Sequence, residues 1–182
     1  MVTHVAFLRA INVGGRGIVK MDALRAAFEQ AGCANVRTYI ASGNVVFDAD
    51  PKDAALRARL ARQVGRALGA EPVIMYRTLR ELEALVEAAP FGALARDPRV
   101  KTYVMFAAEK TKQRPRFPLR LPKEGLEAIG MRKADVLIVS RRKPNGWYGF
   151  PTLWIEQELD ILSTARTWGT VSKIVALAKG RP

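Results

Sequence analysis

Val36-Arg37-Thr38-Tyr39-Ile40-Ala41-Ser42-Gly43-Asn44-Val45-Val46-Phe47 is the stretch that decides how this chain folds. Two β-rich runs, 36–40 and 45–47, flank Ser42-Gly43-Asn44. A short polar turn with a glycine between such runs reads as a β-hairpin. On the N-terminal side, residues 20–31 place Met21, Leu24, Ala27, Phe28 and Ala31 at helical spacing, with Gly32 as the stop. Before that helix, Val5-Ala6-Phe7-Leu8 reads as a strand. On the C-terminal side, 53–68 carries the stripe Leu56, Leu60, Val64 and Leu68, with Arg59, Arg62 and Arg66 opposite it. A further strand follows at 73–76. The order is β-α-β-β-α-β, the ferredoxin-like arrangement. Because residues 5–8 are apolar at every position, their strand is expected to be covered on both faces. RNA-recognition motifs share this order but expose stacking aromatics on the sheet. Their third-strand pattern is absent around 45–48, so the sheet is not read as an RNA-binding face.

The second half is less regular. Its sequence predicts a helix over 79–89, a strand over 102–107 and a hairpin from 128–131 and 136–139. Pro144-Asn145-Gly146 reads as a turn, and helices are expected at 151–159 and 171–178 with a short strand near 162–165. Pro115, Pro118 and Pro122 rule out a helix over 113–122 and point to an exposed loop. The expected fold is therefore α+β. A ferredoxin-like subdomain at 1–78 packs with a second, smaller α+β subdomain at 79–182 that carries basic loops.

Charge narrows the class of partner. Thirty Lys and Arg against 17 acids give a formal charge of +13, which favours nucleic acid, phosphorylated ligands or membrane surfaces. The competing explanation is surplus surface Arg with no ligand. A single cysteine, Cys33, excludes an internal disulfide and the multi-cysteine zinc patterns. The N-terminus has no basic leader, and no apolar run approaches the ~18 residues of a membrane span. A cytoplasmic protein with no membrane partner is expected.

Two motifs concentrate hydrogen-bond donors without one carboxylate. The first is Arg9 and Asn12 with the glycines Gly14, Gly15 and Gly17. A glycine-rich loop between strand and helix offers backbone N–H groups to an anion, and Arg9 adds a bidentate clamp. The spacing matches neither a Walker loop nor the dinucleotide fingerprint. The plainer reading is a tight turn. The second is Thr38 and Tyr39 with Ser42 and Asn44, where the plainer reading is a hairpin with Gly43 or Asn44 at positive φ. Strands one and three are antiparallel neighbours in this topology. Arg9, Asn12, Ser42 and Asn44 are then expected to meet at one end of the sheet.

Two further groups bear on anions. Thr164-Ala165-Arg166-Thr167-Trp168-Gly169-Thr170 brings Arg166 and Thr167 to the start of the last helix, either as an anion site or with Thr167 or Thr170 as a plain N-cap. Residues 110–143 hold eleven Lys or Arg against three acids. There Lys112, Arg114 and Arg116 lie in the proline-rich loop, and Arg141, Arg142 and Lys143 lead into Trp147-Tyr148-Gly149-Phe150. Cations flanking aromatics suit phosphate contact and base stacking, though Trp147 and Phe150 by themselves are expected to pack on the core. Catalytic and metal chemistry finds little here. His4 is the one histidine, with no partner suggested by spacing. Cys33 reads as a small, partly buried residue. Asp48, Asp50 and Asp53 read as turn residues with Asp53 as an N-cap rather than a cation site. No metal and no cofactor is expected.

Residues 7–15, 21–24, 36–47 and 163–177 resemble a bacterial family known as domain-of-unknown-function family 1697. Its pattern runs L-R-G-I-N-V-G-G, then K-M at a helix start, then V-R-T-Y-I-Q-S-G-N-V-V-F, and T-T-R-N-W-x-T near the C-terminus. Here Ala10 stands for the family's glycine and Ala41 for its common glutamine. The resemblance implies an α+β fold with a ferredoxin-like half and implies no activity. Taken with the residues, it leaves three readings. The first is binding of a phosphate-rich partner, nucleic acid foremost, through basic loops and a polar cleft. The second is a pocket for a nucleotide or small anion, with or without catalysis by orientation and electrostatics. The third is a protein–protein interaction module.

Overall fold

A computed structural model describes residues 1–11 and 19–180. The chain divides into two compact units of equal length, Met1–Leu82 with Ile174–Pro182, and Glu83–Lys173. Together they hold two antiparallel sheets and five helices among the described residues, a mixed α+β fold.

The first unit runs β1 (Val2–Leu8), α1 (Met21–Gln30), β2 (Ala34–Tyr39), β3 (Asn44–Ala49), α2 (Leu56–Leu68) and β4 (Ile74–Thr78). Its sheet order is β2-β3-β1-β4, with every pair antiparallel. The helical spacing read from the sequence is what packs it. Leu24, Ala27 and Phe28 of α1 and Leu56, Leu60 and Val64 of α2 share one core with Ala6, Leu8, Val45 and Phe47 of the sheet. Phe28 meets Phe47 edge-on at 5.1 Å. Val5, Phe7 and Val46, which point the other way, are also fully buried, so both faces of the sheet are covered. That is the physical consequence of an uninterrupted apolar strand.

One cap differs from expectation. The N-cap of α2 is Ala55, not Asp53. Asp53 accepts the Ala55 N–H and both guanidinium nitrogens of Arg59, whose Nε in turn donates to Ala31 O at 2.9 Å. Arg59 therefore ties α2 to the end of α1, satisfying a carbonyl that a helix terminus leaves open, instead of pointing to solvent. At the C-terminus, Arg37 performs the same service, donating to Leu177 O at 2.8 Å.

The second unit contains β5 (Val100–Ala107), β6 (Leu119–Leu121), β7 (Leu126–Arg132), β8 (Asp135–Arg141), α4 (Thr152–Leu159) and β9 (Ser163–Thr167), in sheet order β6-β7-β8-β5-β9. Two helices, α3 (Leu79–Glu87) and α5 (Trp168–Ala178), run across the division between units. Trp154, Ile155 and Leu159 of α4 bury against Tyr103, Met105, Ala128 and Ile138. The proline-rich stretch hides a strand that the sequence does not announce. β6 sits at the sheet edge between Pro118 and Pro122, where a missing N–H costs no ladder bond. The last helix begins at Trp168, three residues ahead of the expected start.

Candidate functional site

At one end of the first sheet, the ends of β1 and β3 meet. Phe7 pairs with Asn44, and Leu8 N donates to Gly43 O at 2.8 Å. The chain reverses through Ile40 at φ 48° and Gly43 at φ 75°. A Cβ on Gly43 would lie 3.0 Å from Leu8 Cβ and Ile11 Cγ1, so glycine is demanded twice, by φ and by space. Asn44 is fully buried, and its Nδ2 donates to Tyr39 O and Ser42 Oγ, both at 2.9 Å. Thr38 and Tyr39 pair with Val45 and Asn44 on the neighbouring strand. Arg9 N donates to Val73 O, and Ala10 follows at φ 55°. The structure thus brings Arg9 to the same end of the sheet as Ser42 and Asn44. Asn12, Gly14 and Gly15 lie outside the described residues.

Arg166 and Thr167 belong to the second unit. Arg166 is buried, and its Nη1 donates to Thr164 Oγ1 and Ala165 O, each at 2.8 Å. Burial lowers its guanidinium to about 10, which still leaves it cationic at neutral pH. Thr167 precedes α5, and its Oγ1 accepts the Thr170 N–H at 3.2 Å, the geometry of an N-cap.

The other end of the second unit gathers cations around aromatics. Val100 pairs with Arg141, which sets the 97–101 segment beside the 142–148 turn. Arg142 N donates to Arg99 O, and Tyr148 Oη donates to Pro98 O at 3.1 Å. Lys101 Nζ lies 4.6 Å from the Tyr148 ring centroid, within cation–π reach. The turn is closed by Gly146 N to Lys143 O and Lys143 N to Trp147 O, both 2.8 Å. Trp147, expected on the core, is 74% exposed. Phe150 is exposed as well, with one edge against Tyr103 at 6.0 Å. The Trp147 backbone N–H is held by Asn145 Oδ1 at 3.1 Å.

The cations here differ in how they are held. Arg141 and Arg120 share Glu127, at 3.3 and 2.9 Å, and Lys143 pairs with Glu124 at 2.8 Å. Arg142 Nε donates to Gly146 O. Arg99 grips Asp97 and, with the backbone N–H of the same residue, holds that carboxyl down at about 2. Exposed pairs of this kind are worth only about 0–1 kcal/mol, so an incoming phosphate competes with them on near-equal terms. Lys112, Arg114 and Arg116 are exposed on the segment between β5 and β6 and form no ion pair among the described residues. The sequence reading missed Arg99 and Lys101. Only the β5–β8 register brings these two to the turn, and no local pattern signals it.

The remaining reactive groups are occupied. His4 Nδ1 lies 2.8 Å from Val2 O, and its ring stacks on Phe47. Burial raises the Cys33 thiol to about 11, leaving it a neutral, inert thiol at physiological pH. Asp48 accepts from Thr3 and Asn35, and Asp50 from the Lys52 N–H. Among the described residues no cluster of three His, Cys, Asp or Glu forms a metal site, and no helix is long and apolar enough to cross a membrane.

Residues 1–136 match the family model described as "Protein of unknown function (DUF1697)", and the chain belongs to that family. The Thr164–Thr170 motif lies beyond the matched residues. Among solved structures the chain is similar to the conserved bacterial protein SP0830 from Streptococcus pneumoniae, with a TM-score of 0.66 and 20% identity, over 98% of this chain and 99% of that one. At that identity the likeness is one of fold. No curated protein matches the chain.

Proposed function

We propose that this member of the family is a cytoplasmic binding protein for a phosphate-rich partner, nucleic acid, and that the 97–101 and 142–148 segments of the second unit receive it. The observation that carries the reading is Trp147. A largely exposed tryptophan stands at a turn flanked by Arg142 and Lys143, beside Tyr148 with Lys101 on its ring. Nothing in folding calls for so large an apolar group in water, whereas an unpaired base stacks on such a surface for about 1–3 kcal/mol. Lys112, Arg114 and Arg116 add exposed positive charge elsewhere on the same unit, and phosphate contacts made by such cations weaken with salt. We also read the strand order β2-β3-β1-β4 as the ferredoxin-like arrangement. It serves here as scaffold, because its sheet is covered on both faces.

The test is an anisotropy titration of a labelled single-stranded oligothymidylate over a range of salt. Binding should fall steeply as salt rises. Lys101→Ser with Arg142→Ser should flatten the salt slope by about two charges, and Trp147→Ala should weaken binding by about 1–3 kcal/mol with the slope unchanged. No binding at low salt, or binding indifferent to all three changes, removes the reading.

A further inference from the structure

The helix α4 breaks the charge pattern of the whole chain. Residues 144–165 contain no Lys or Arg, although the chain has 30, and they include Glu156, Glu158 and Asp160. Two of these acids, Glu156 and Asp160, line an open groove at the C-terminal end of α4 together with Glu109, Leu153, Gln157, Ile161 and Leu162. Leu153 is 71% exposed and Leu162 48%, so two large aliphatic side chains face water in a groove whose charged lining residues, Glu109, Glu156 and Asp160, are all acids; Lys110 and Lys112 stand outside that lining, on either side of Thr111. The groove is held in shape from below. Glu156 Oε1 accepts the Ser163 N–H at 2.8 Å, Ala108 N donates to Leu162 O at 2.9 Å, and Thr111 Oγ1 donates to Leu159 O at 2.6 Å.

We propose that this groove docks a Lys- and Arg-rich, leucine-bearing segment of a partner protein. The occupant follows from charge complementarity. A helix C-terminus carries partial negative charge and favours cations near it, yet the last turn of α4 contains no base of its own. Two exposed leucines supply an apolar contact, and the acids on either side select the sign of the partner's rim. Nucleic acid is repelled by the same acids. A second copy seated α4 against α4 sets Glu156 and Asp160 against their own images, which disfavours a symmetric pairing. The groove lies within the second unit and is independent of the nucleic-acid reading.

The probe is a labelled helical peptide of about 14 residues with leucines at i, i+3, i+4 and i+7 and lysines elsewhere. A second peptide of equal charge has serine for leucine. The full chain should bind the leucine peptide at least about tenfold more tightly than the serine peptide. Leu153→Ser and Gln157→Lys, both changes at exposed positions, should each weaken it by about tenfold or more, and Trp147→Ala should leave it unchanged. Equal binding of the two peptides, no binding of either, or indifference to both groove variants overturns the proposal.

Discussion

Two turns of this chain set an asparagine beside a glycine, Ser42-Gly43-Asn44 in the first unit and Pro144-Asn145-Gly146 in the second. In the first, Asn44 is sealed from solvent and its amide nitrogen donates to Tyr39 O and Ser42 Oγ. In the second, Asn145 stays outside, holds only the next backbone N–H but one, and leaves Trp147 standing in water. The difference comes from what flanks each turn. Strands β1 and β3 are buried on both faces, so every polar group at their ends must find a protein partner. The 142–148 turn follows the end of β8 at mostly exposed or half-exposed positions, so its polar groups are under no such constraint. A dense polar motif between buried strands is therefore first a device for closing backbone bonds, and a sparser motif at a sheet end keeps its groups available.

The largest effect that separates the two turns is steric. Gly43→Ala forces a left-handed alanine into contact with Leu8 and Ile11 and is expected to cost about 2–4 kcal/mol in urea unfolding. Gly146→Ala shares the positive φ but meets only the flexible Arg142 side chain at 3.5 Å, so about 1–2 kcal/mol is expected. Equal costs would mean that the close approach of Leu8 and Ile11 to Gly43 contributes nothing beyond its positive φ. Next comes Asn44→Ala, which removes a buried amide that donates to Tyr39 O and Ser42 Oγ and should cost about 1–3 kcal/mol by the same measurement. Asn145→Ala, at an exposed position, should stay within about 0.5 kcal/mol.

A smaller and opposite change is expected at Ala10. The family pattern places glycine there, and the alanine is held at φ 55°. Ala10→Gly should stabilise the protein by about 0.5–1 kcal/mol, the relief of left-handed strain less the added freedom of the unfolded chain. A loss of stability would mean that the alanine methyl packs usefully. The smallest effect lies at the basic end of the second unit. Because Arg99 holds the Asp97 carboxyl down at about 2, Asp97 supports the folded state above its ordinary value of about 4 and loses that support as pH falls through about 2. Asp97→Asn should flatten the pH dependence of the melting temperature in that window. An unchanged profile would remove Asp97 from the acid response.

Periodicity made the first unit legible. Leu24, Ala27 and Phe28, the Leu56–Leu60–Val64 stripe and the apolar run 5–8 each imply the face they bury, and the hairpin follows from Ser42-Gly43-Asn44. What escaped were features that depend on tertiary placement. β6 is three residues long and bracketed by prolines, so no period betrays it. Arg59, which the sequence places on the face opposite the apolar stripe, binds the open carbonyl of Ala31. Large aromatics are usually buried, which is why the sequence places Trp147 on the core, yet it is 74% exposed. Lys101 and Arg99 joined the basic end through strand register, which is silent in the local sequence.

The contrast between the two turns becomes a statement about function when a partner is added. The most direct measurement is a two-dimensional amide and indole NMR titration of the chain with single-stranded oligothymidylate. The Trp147 indole N–H and the amides of Lys101, Arg142 and Tyr148 are expected to shift progressively with added oligonucleotide, while those of Tyr39, Ser42 and Asn44 stay in place. Shifts concentrated at Tyr39, Ser42 and Asn44 with Trp147 unmoved would contradict it, as would a spectrum unchanged at saturating oligonucleotide and low salt.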